Sequence, residues 1–383
     1  TGSGVYLTEV VRSLAKMGVS QAVVAGVTRE DRVDMPEGVT VYPVYFSSEK
    51  LPYPVVGMSD EMPYTSTRYR DMTEEMAGQF KAAFLEVLDE AIEKENPDII
   101  LCHHLYYLTA LIRAHYPAKK VYGFCHNTDL RQMESISFEK NFIRQEIPKL
   151  DRIFALQEAQ KEKIKKIYPV SEKQMTVIGT GYNSEVFKKT GIKSSRKDGK
   201  IRMIFAGKIT QKKGVKSLLR ALNLLDYEKE KIQLILAGGA GNLVEYEEIK
   251  ELADGCRYPV VFAGCVTQSR LAELYNDCDI FVLPSMYEGL PLTVIESLAC
   301  GDRVVMTKLE GIAEWLADMV PDADIRYVLP PGMKGTDEPL EEELPEFESR
   351  LAEALREAIE EKDTKECDVS RISWQKIARE VIR

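Results

Sequence analysis

Short apolar runs alternate with amphipathic stretches along most of the chain, which is the pattern of repeated βα units around parallel sheets. An early stretch has apolar residues at helical spacings of three, four and seven, at Leu7, Val10, Val11 and Leu14. The predicted strands are Ala22–Ala25, Val39–Val44, Asp98–Cys102, Val121–Cys125, Arg152–Leu156, Thr176–Ile178, Arg202–Ala206, Gln233–Ala237, Val260–Ala263, Ile280–Pro284, Arg303–Thr307 and Ile325–Leu329. This order of elements predicts an α/β protein.

A polar interruption divides the alternation in two. Residues 188–200 carry one apolar side chain, Ile192, among Lys, Ser and Gly, which predicts a linker. We therefore expect an N-terminal Rossmann-like domain over 1–187, a C-terminal one over 201–368, and a terminal helix within 369–383 that packs back on the first domain. Two doubly wound halves place the functional cleft at the carboxyl ends of their sheets.

The beginning of the chain is unusual for such a fold. Thr1-Gly-Ser-Gly4 reads as a turn that should follow a strand, and no strand precedes it. Because loss of a central strand would be a serious defect, we expect the natural chain to have a first strand upstream of Thr1.

Composition and charge narrow the function classes. The chain has 383 residues, 44% of them hydrophobic, and a net charge of −10, which argues against a nucleic-acid binder. No apolar stretch approaches the length of a membrane span. The seven cysteines are odd in number and form no C-x-x-C pair, so a reduced, cytoplasmic protein without a zinc site fits best.

The strongest local motif runs from Pro284 to Gly301, where a predicted strand leads into a loop and then a helix. Glu288 stands just before the helix and Glu296 about two turns inside it, so two carboxylates reach different hydroxyls of one extended ligand. Pro291 suits the first helical turn. Backbone amides near this helix start form an anion site, at Leu290, Leu292 and Thr293. A capping Glu288 and an ordinary surface Glu296 form the competing interpretation, which the complete motif disfavours.

A second motif follows the strand that ends at Ala206. Lys208 lies in the turn, and Lys213 with Gly214 opens an amphipathic helix. Cations beside a helix N-terminus suit a diphosphate, whose negative charge they stabilise. A surface lysine cluster is the alternative, and the position after a strand favours function.

These motifs closely resemble the retaining GT-B glycosyltransferases known as family 4, and the resemblance extends over essentially the whole chain. The matching residues are Glu288 and Glu296, Gly207-Lys208, Lys213-Gly214, Thr1 to Gly4, His126 to Asp129, Ile178 to Phe187, Phe262 to Val266, and Ser373-Trp374. Three positions depart from the family pattern: Lys208 replaces an arginine, Asn127 a glycine, and Asp302-Arg303 a residue–proline pair.

The resemblance implies a role for each matching residue. Glu296 would hold the ribose and Glu288 the hydroxyls of the donor sugar. The diphosphate would be bound by Lys208 and Lys213. The implied catalytic residues are His126, Lys213 and Glu288. The implied donor contacts are Gly2, Ser3, Gly4, Lys208, Lys213, Val266, Glu288, Gly289, Leu290, Leu292, Thr293 and Glu296, and Asp129 would lie on the acceptor side.

The resemblance also implies a reaction. A hexose-type sugar would pass with retention from a UDP- or GDP-linked donor to a sugar, lipid or small-molecule acceptor, without a metal or other cofactor. Two alternatives stay open: a GT-B sugar-nucleotide epimerase or hydrolase, and a non-catalytic nucleotide-sugar-binding protein. Some relatives use a basic face for peripheral contact with the inner membrane. Here the basic residues between Lys140 and Lys166 are interleaved with acids, so a solvated face is favoured.

The four histidines all lie in the first half of the chain. Neighbouring residues of a strand point to opposite faces, so we expect only one of His103 and His104 to face the cleft, and no metal site there. His126 directly follows a predicted strand, where a cleft residue belongs. Residues 42–69 are rich in Pro, Tyr and Ser, and either recognise the acceptor or form a flexible surface loop.

Overall fold

The computed structural model describes residues 2–60, 62, 64–335, 338–361 and 367–383, apart from the side chains of Ser194 and Ser195. The chain folds into two compact units. The first comprises Thr1–Gly181 with Trp374–Arg383, and the second comprises Tyr182–Ser373. In the part of the chain that is described, no helix combines the length and the apolar character needed to cross a bilayer.

Helices and strands alternate along both units. The helices are α1 (Gly2–Lys16), α2 (Glu74–Glu95), α3 (Tyr107–His115), α4 (Thr128–Ser135), α5 (Lys140–Glu146), α6 (Glu158–Ile167), α7 (Ile192–Ser195), α8 (Val215–Asn223), α9 (Leu243–Asp254), α10 (Gln268–Asp277), α11 (Leu292–Ala299), α12 (Ile312–Met319), α13 (Leu344–Glu360) and α14 (Trp374–Val381). The strands are β1 (Ala22–Val27), β2 (Thr40–Tyr45), β3 (Val56–Gly57), β4 (Thr67–Arg68), β5 (Ile99–His103), β6 (Lys120–Phe124), β7 (Arg152–Ala155), β8 (Met175–Val177), β9 (Ile201–Ala206), β10 (Ile232–Ala237), β11 (Val260–Gly264), β12 (Ile280–Leu283), β13 (Arg303–Thr307), β14 (Ile325–Val328), β15 (Met333–Lys334) and β16 (Glu338–Pro339).

The second unit has a parallel sheet with the strand order β11-β10-β9-β12-β13-β14. Counted along this unit, the order is 3-2-1-4-5-6, which is the order of a Rossmann fold. All four residues of β12 are buried, as expected where helices cover both faces of a parallel sheet. The strand order reverses between β9 and β12, so ligands are expected at the carboxyl ends of these two strands.

The first unit contains two parallel sheets, β1-β2 and β5-β6-β7-β8, with smaller β3-β4 pairing beside them. Helix α14 returns to this unit and packs against α1. A side chain at Gly181 would place Cβ 2.5 Å from the backbone nitrogen of Trp374, so glycine permits the close approach of α14. Arg152 fixes the same helix by donating to the backbone oxygen of Glu380 at 3.0 Å.

The twelve predicted strands are all present, each within two residues of the predicted bounds, because apolar runs favour the strands of parallel sheets. Gly2 to Gly4 form the first turn of α1, whereas the sequence predicted a turn that follows a strand. Thr1 lies outside the described residues.

The stretch 188–200 also differs from the expected linker, because it lies inside the second unit. It contains the short helix α7, and Lys193 Nζ lies 2.5 Å from the Oδ1 atom of buried Asp302. The first-unit boundary falls at Gly181 rather than at residue 187. A sequence pattern shows the polarity of such a segment but not the partner that anchors it.

The stretch 42–69 contributes to the core of the first unit. Leu51 is fully buried, and the Tyr53 hydroxyl donates to the backbone oxygen of Met76 at 2.7 Å. Arg131 of α4 donates to the Ser59 hydroxyl at 3.3 Å. The described part of this stretch is therefore packed and hydrogen-bonded, while Glu61 and Pro63 lie outside the described residues.

Candidate functional site

The loops that follow β9 and β12 are hydrogen-bonded to each other at the point where the strand order of the sheet reverses. The backbone N–H of Met286 donates to the backbone oxygen of Lys212 at 2.9 Å. Gly214 has φ +72°, and a Cβ there would lie 2.1 Å from the backbone oxygen of Pro284. Only glycine permits both this left-handed conformation and this approach. The sequence therefore fixes the start of α8 against the end of β12.

Lys213 and Glu288 meet at this junction. Lys213 Nζ lies 2.6 Å from Glu288 Oε1 and 3.4 Å from the backbone oxygen of Tyr287. The side chains of Lys213 and Glu288 are 27% and 15% exposed to solvent, so a ligand can reach both. The two motifs recognised in the sequence thus form one site, with a cation and a carboxylate in contact.

Helix α11 begins immediately beside this pair. Pro291 is its N-cap, with φ −75° and ψ 105°, and the first helical residue is Leu292 rather than Pro291. The N–H groups of a first turn lack helical acceptors, and their positive end attracts anions. Glu296 is the fifth residue of α11, one turn inside rather than the predicted two, and is 6% exposed. Leu290, Leu292 and Thr293 lie at this helix start as predicted.

Lys208 lies in the loop at the carboxyl end of β9 and is half-buried. The N–H of Gly207 donates to the backbone oxygen of Ala237 at 2.9 Å. A Cβ at Gly238 would lie 1.7 Å from the Gly207 backbone oxygen, so the loops after β9 and β10 touch through their main chains. Val266 follows β11 by two residues and is half-buried. The predicted diphosphate and base contacts therefore share one edge of one sheet.

In the first unit, Asp129 organises the loop after β6. Its carboxylate is fully buried and accepts hydrogen bonds from the backbone N–H groups of Leu105 at 2.7 Å, His126 at 3.1 Å and Leu130 at 3.2 Å. These bonds satisfy the charge of a carboxylate that has no access to solvent. Asp129 thus holds the backbone of His126 in place, a role that its motif position alone did not reveal.

Three histidines gather at the ends of β5 and β6. His103 Nδ1 lies 2.9 Å from His126 Nε2, and the ring centroids of His104 and His126 are 4.8 Å apart. Strand alternation does not separate His103 from His104, because β5 ends at His103 and His104 has φ +72°. Which of the two rings faces the cleft stays a prediction. Among the described residues, no group of three or more His, Cys, Asp or Glu side chains could hold a metal.

Burial governs the charge of these rings. It lowers the pKa of His103 to about 3 and the pKa of His126 well below the ordinary value, and nearby histidines add to both effects. Burial also lowers the pKa of His104, while Asp129 opposes that shift. The His126 ring is therefore neutral at pH 7.

The glycines at the start of α1 lie in the same unit as His126. Tyr6 of α1 packs edge-on against His126, with centroids 5.2 Å apart, and its hydroxyl donates to the backbone oxygen of Gly179 at 3.1 Å. A Cβ at Gly2 would meet nothing within 4 Å. Gly2, Ser3 and Gly4 therefore present a helix start with open space at its first residue.

Two family models together match nearly all of the chain. Residues 1–186 match the model described as Glycosyltransferase Family 4, and residues 187–366 match the one described as Glycosyl transferases group 1. The chain belongs to the group 1 glycosyltransferases. The resemblance drawn from the sequence motifs is thereby confirmed at the level of a group 1 glycosyltransferase.

The curated relatives are distant. An uncharacterized glycosyltransferase of Methanocaldococcus jannaschii is 29% identical over 172 residues, which are 43% of this chain and 44% of the relative. A D-inositol 3-phosphate glycosyltransferase of Catenulispora acidiphila is 25% identical over 83% of this chain and 76% of the relative. The chain spans less than half the length of the first of these relatives.

Solved structures confirm the GT-B fold. Sucrose-phosphate synthase from Thermosynechococcus elongatus matches 98% of this chain and 91% of its own with a TM-score of 0.67 and 15% identity. Anabaena HepE in complex with UDP matches 100% of this chain and 95% of its own with a TM-score of 0.64 and 15% identity. At this identity the likeness concerns the fold.

Proposed function

We propose that this chain is a glycosyltransferase that moves a hexose-type sugar from a nucleoside diphosphate sugar to an acceptor. The observation that carries the proposal is the contact of 2.6 Å between Lys213 Nζ and Glu288 Oε1. It lies where the strand order of a Rossmann sheet reverses, beside the N-terminus of α11. A cation and a helix start bind phosphate, and a carboxylate beside them binds hydroxyls.

The donor is assigned to the second unit. Lys213 and Lys208 bind the diphosphate. The amides of Leu292 and Thr293 in the first turn of α11, and that of Leu290 just before the helix, assist after Gly289. Glu288 accepts hydrogen bonds from the donor sugar. One turn into α11, Glu296 accepts them from the ribose. Main-chain groups around Val266 frame the base.

Catalysis in this proposal is electrostatic. As the glycosidic bond breaks, negative charge develops on the leaving diphosphate, and Lys213 and the α11 dipole stabilise it without reorganisation. The leaving phosphate oxygen takes the proton of the acceptor hydroxyl on the same face of the sugar, which retains the anomeric configuration. These lysines and helix dipoles perform the role of a divalent cation, so the reaction needs no metal.

Residues of the first unit are also assigned to the donor. His126 is assigned to the transferred sugar, and Gly2, Ser3 and Gly4 to the diphosphate. Asp129 acts through the His126 backbone, which it holds with its carboxylate. The acceptor is a sugar, a lipid headgroup or a small molecule.

We propose testing uridine donors first and guanosine donors second. HepE structures carry UDP, UDP with glucose, and UDP-glucose. The relative from Catenulispora acidiphila is named for transfer to an inositol phosphate, which makes phosphorylated polyols a sensible part of an acceptor panel.

The test is a panel of UDP- and GDP-linked sugars, each with and without candidate acceptors, followed by NMR of the anomeric proton of the product. We expect transfer from one or a few UDP-hexoses with retained configuration, unchanged by EDTA. Release of an epimer or free sugar without an acceptor would instead identify the epimerase or hydrolase. Donor binding by calorimetry with no turnover on the panel would indicate a non-catalytic binding protein.

A further inference from the structure

Two histidines in the first unit are joined directly through their rings. β5 ends at His103, and the sheet register places His103 opposite Phe124, two residues before His126. His103 Nδ1 lies 2.9 Å from His126 Nε2, and the two ring planes differ by 14°. The distance is that of a hydrogen bond. One of the two nitrogens of His126 is therefore committed to His103.

The surroundings keep both rings uncharged. His103 stacks on Phe124 with centroids 4.7 Å apart, and Tyr6 packs edge-on against both histidines. Among the described residues, Tyr6 and His104 are the titratable groups with ring contacts to His126 besides His103, and the fully buried carboxylate of Asp129 accepts from the backbone N–H of His126. Burial lowers the pKa of both rings below 7.

Two neutral imidazoles form a hydrogen bond only when one nitrogen of the contact carries the proton and the other does not. The Nε2–H form is the more stable tautomer of a neutral histidine side chain. When His126 Nε2–H donates to His103 Nδ1, both rings keep that form. The reverse direction requires the less stable tautomer on both rings. The geometry thus favours His126 as the donor.

We propose that His103 is a positioning residue that holds His126 in the Nε2–H tautomer and leaves the Nδ1 atom of His126 as an acceptor for a substrate hydroxyl. An unprotonated imidazole nitrogen is a good acceptor for a sugar hydroxyl. The hydrogen bond to His103 determines which nitrogen of His126 is unprotonated. The substrate part of this inference rests on the proposed function. The tautomer part does not.

The tautomer is measured on the unmodified chain. The protein has four histidines, so the ring-nitrogen NMR spectrum of 15N-labelled protein contains four spin systems. Single substitutions of the histidines assign them. At pH 7 we expect His126 and His103 both as Nε2–H, with a slowly exchanging Nε2 proton on His126. A His126 ring that carries its proton on Nδ1 overturns the proposal, whatever the activity of the chain.

A matched pair of variants tests the consequence. His103→Phe keeps an aromatic ring but accepts no hydrogen bond, whereas His103→Asn offers Oδ1 close to the position of Nδ1. We expect His103→Phe to lower kcat about tenfold with an unchanged donor KM, and His103→Asn to stay within about threefold, as the loss and the retention of one hydrogen bond predict.

The control is His115→Asn, because His115 is exposed and pairs with Asp89 at 3.0 Å, apart from the other three histidines. It should leave the kinetics unchanged. Equal losses in His103→Phe and His103→Asn, with the His126 spectrum unchanged in both, would show that His103 only packs. If His103→Phe fails to fold, the spectrum of the unmodified chain and the Asn variant still decide. Absence of any transfer would refute the proposed function while leaving the tautomer measurement valid.

Discussion

Lys213 Nζ contacts Glu288 Oε1 at 2.6 Å, although 75 residues separate the two in the chain. The contact exists because Gly214 lets α8 start against the backbone of Pro284. A bound diphosphate competes with Glu288 for the same ammonium group. We infer that donor binding exchanges this ion pair for a lysine–phosphate contact and frees Glu288 for a sugar hydroxyl.

The first prediction concerns Lys213→Ala. It should lower kcat about 100-fold and change the donor Kd only a few-fold, because the charge on the leaving diphosphate grows in the transition state. Single-turnover kinetics and calorimetry with UDP separate the two effects. Lys216→Ala is the matched control, since Lys216 lies on α8 but pairs with Glu248 at 2.6 Å. An unchanged kcat in Lys213→Ala would show that Lys213 does not contribute to catalysis.

The second prediction concerns Glu296→Ala. A carboxylate that accepts from both hydroxyls of a ribose contributes to binding of donor and product alike, so the Kd for UDP should rise at least about tenfold. Calorimetry with UDP measures it. Glu273→Ala on the exposed face of α10 should leave the Kd unchanged. Equal Kd values for UDP in Glu296→Ala and the unmodified chain would mean that Glu296 serves only the packing of α11.

Much of the second unit was predictable from sequence because buried parallel strands are continuous apolar runs. β12 is such a run throughout and β9 is one from Met203 onward, and the residues that follow them are necessarily at the carboxyl edge of the sheet. The sequence alone therefore predicts that Lys213 and Glu288 share one edge. Their direct contact depends on the loop conformation around Gly214, which periodicity does not describe.

The first unit was harder to predict at its functional end. The strand rule does not apply to His103 and His104, because it holds only inside a strand and β5 ends between them. The burial of Asp129 was missed because a polar residue at a helix start is usually exposed. Three backbone N–H groups that converge on one carboxylate belong to tertiary structure, and no local pattern indicates them.

A third prediction separates a steric clash from backbone strain. Gly214→Ala should lower the free energy of unfolding by about 3 kcal/mol or more, because Cβ would lie 2.1 Å from the Pro284 backbone oxygen. Gly264 in the same unit has a similar φ of +69°, but a Cβ there would meet nothing within 4 Å. Gly264→Ala should therefore cost only about 1–2 kcal/mol. Urea unfolding compares the two, and equal losses would contradict the clash.

The carboxyl group of Asp302 lies in the protein interior, where a negative charge is unfavourable. Its side chain is fully buried, and burial raises the pKa of its carboxyl to about 7, against the opposing effect of Lys193. Lys193 Nζ also lies 3.2 Å from the backbone oxygen of Cys300. Because the unfolded carboxyl ionises near its ordinary pKa of 3.8, the folded chain binds one more proton between about pH 4 and pH 7.

The fourth prediction follows from the sign of this linkage. Since the folded state holds the extra proton, ionisation of Asp302 reduces stability as the pH rises from about 4 to 7, and the loss is complete above that range. Asp302→Asn removes this pH-dependent loss of stability and keeps an oxygen for Lys193. The free energy of unfolding of the variant, measured relative to the unmodified chain, should therefore rise by about 2 kcal/mol between pH 5 and pH 8.

Asp198→Asn is the control, because hydrogen bonds from Lys200 and Arg202 lower the pKa of Asp198 and place its titration below this interval. Urea unfolding at pH 5, 6, 7 and 8 measures both differences. A difference for Asp302→Asn that stays flat across this interval would show that the buried carboxyl is already ionised at pH 5.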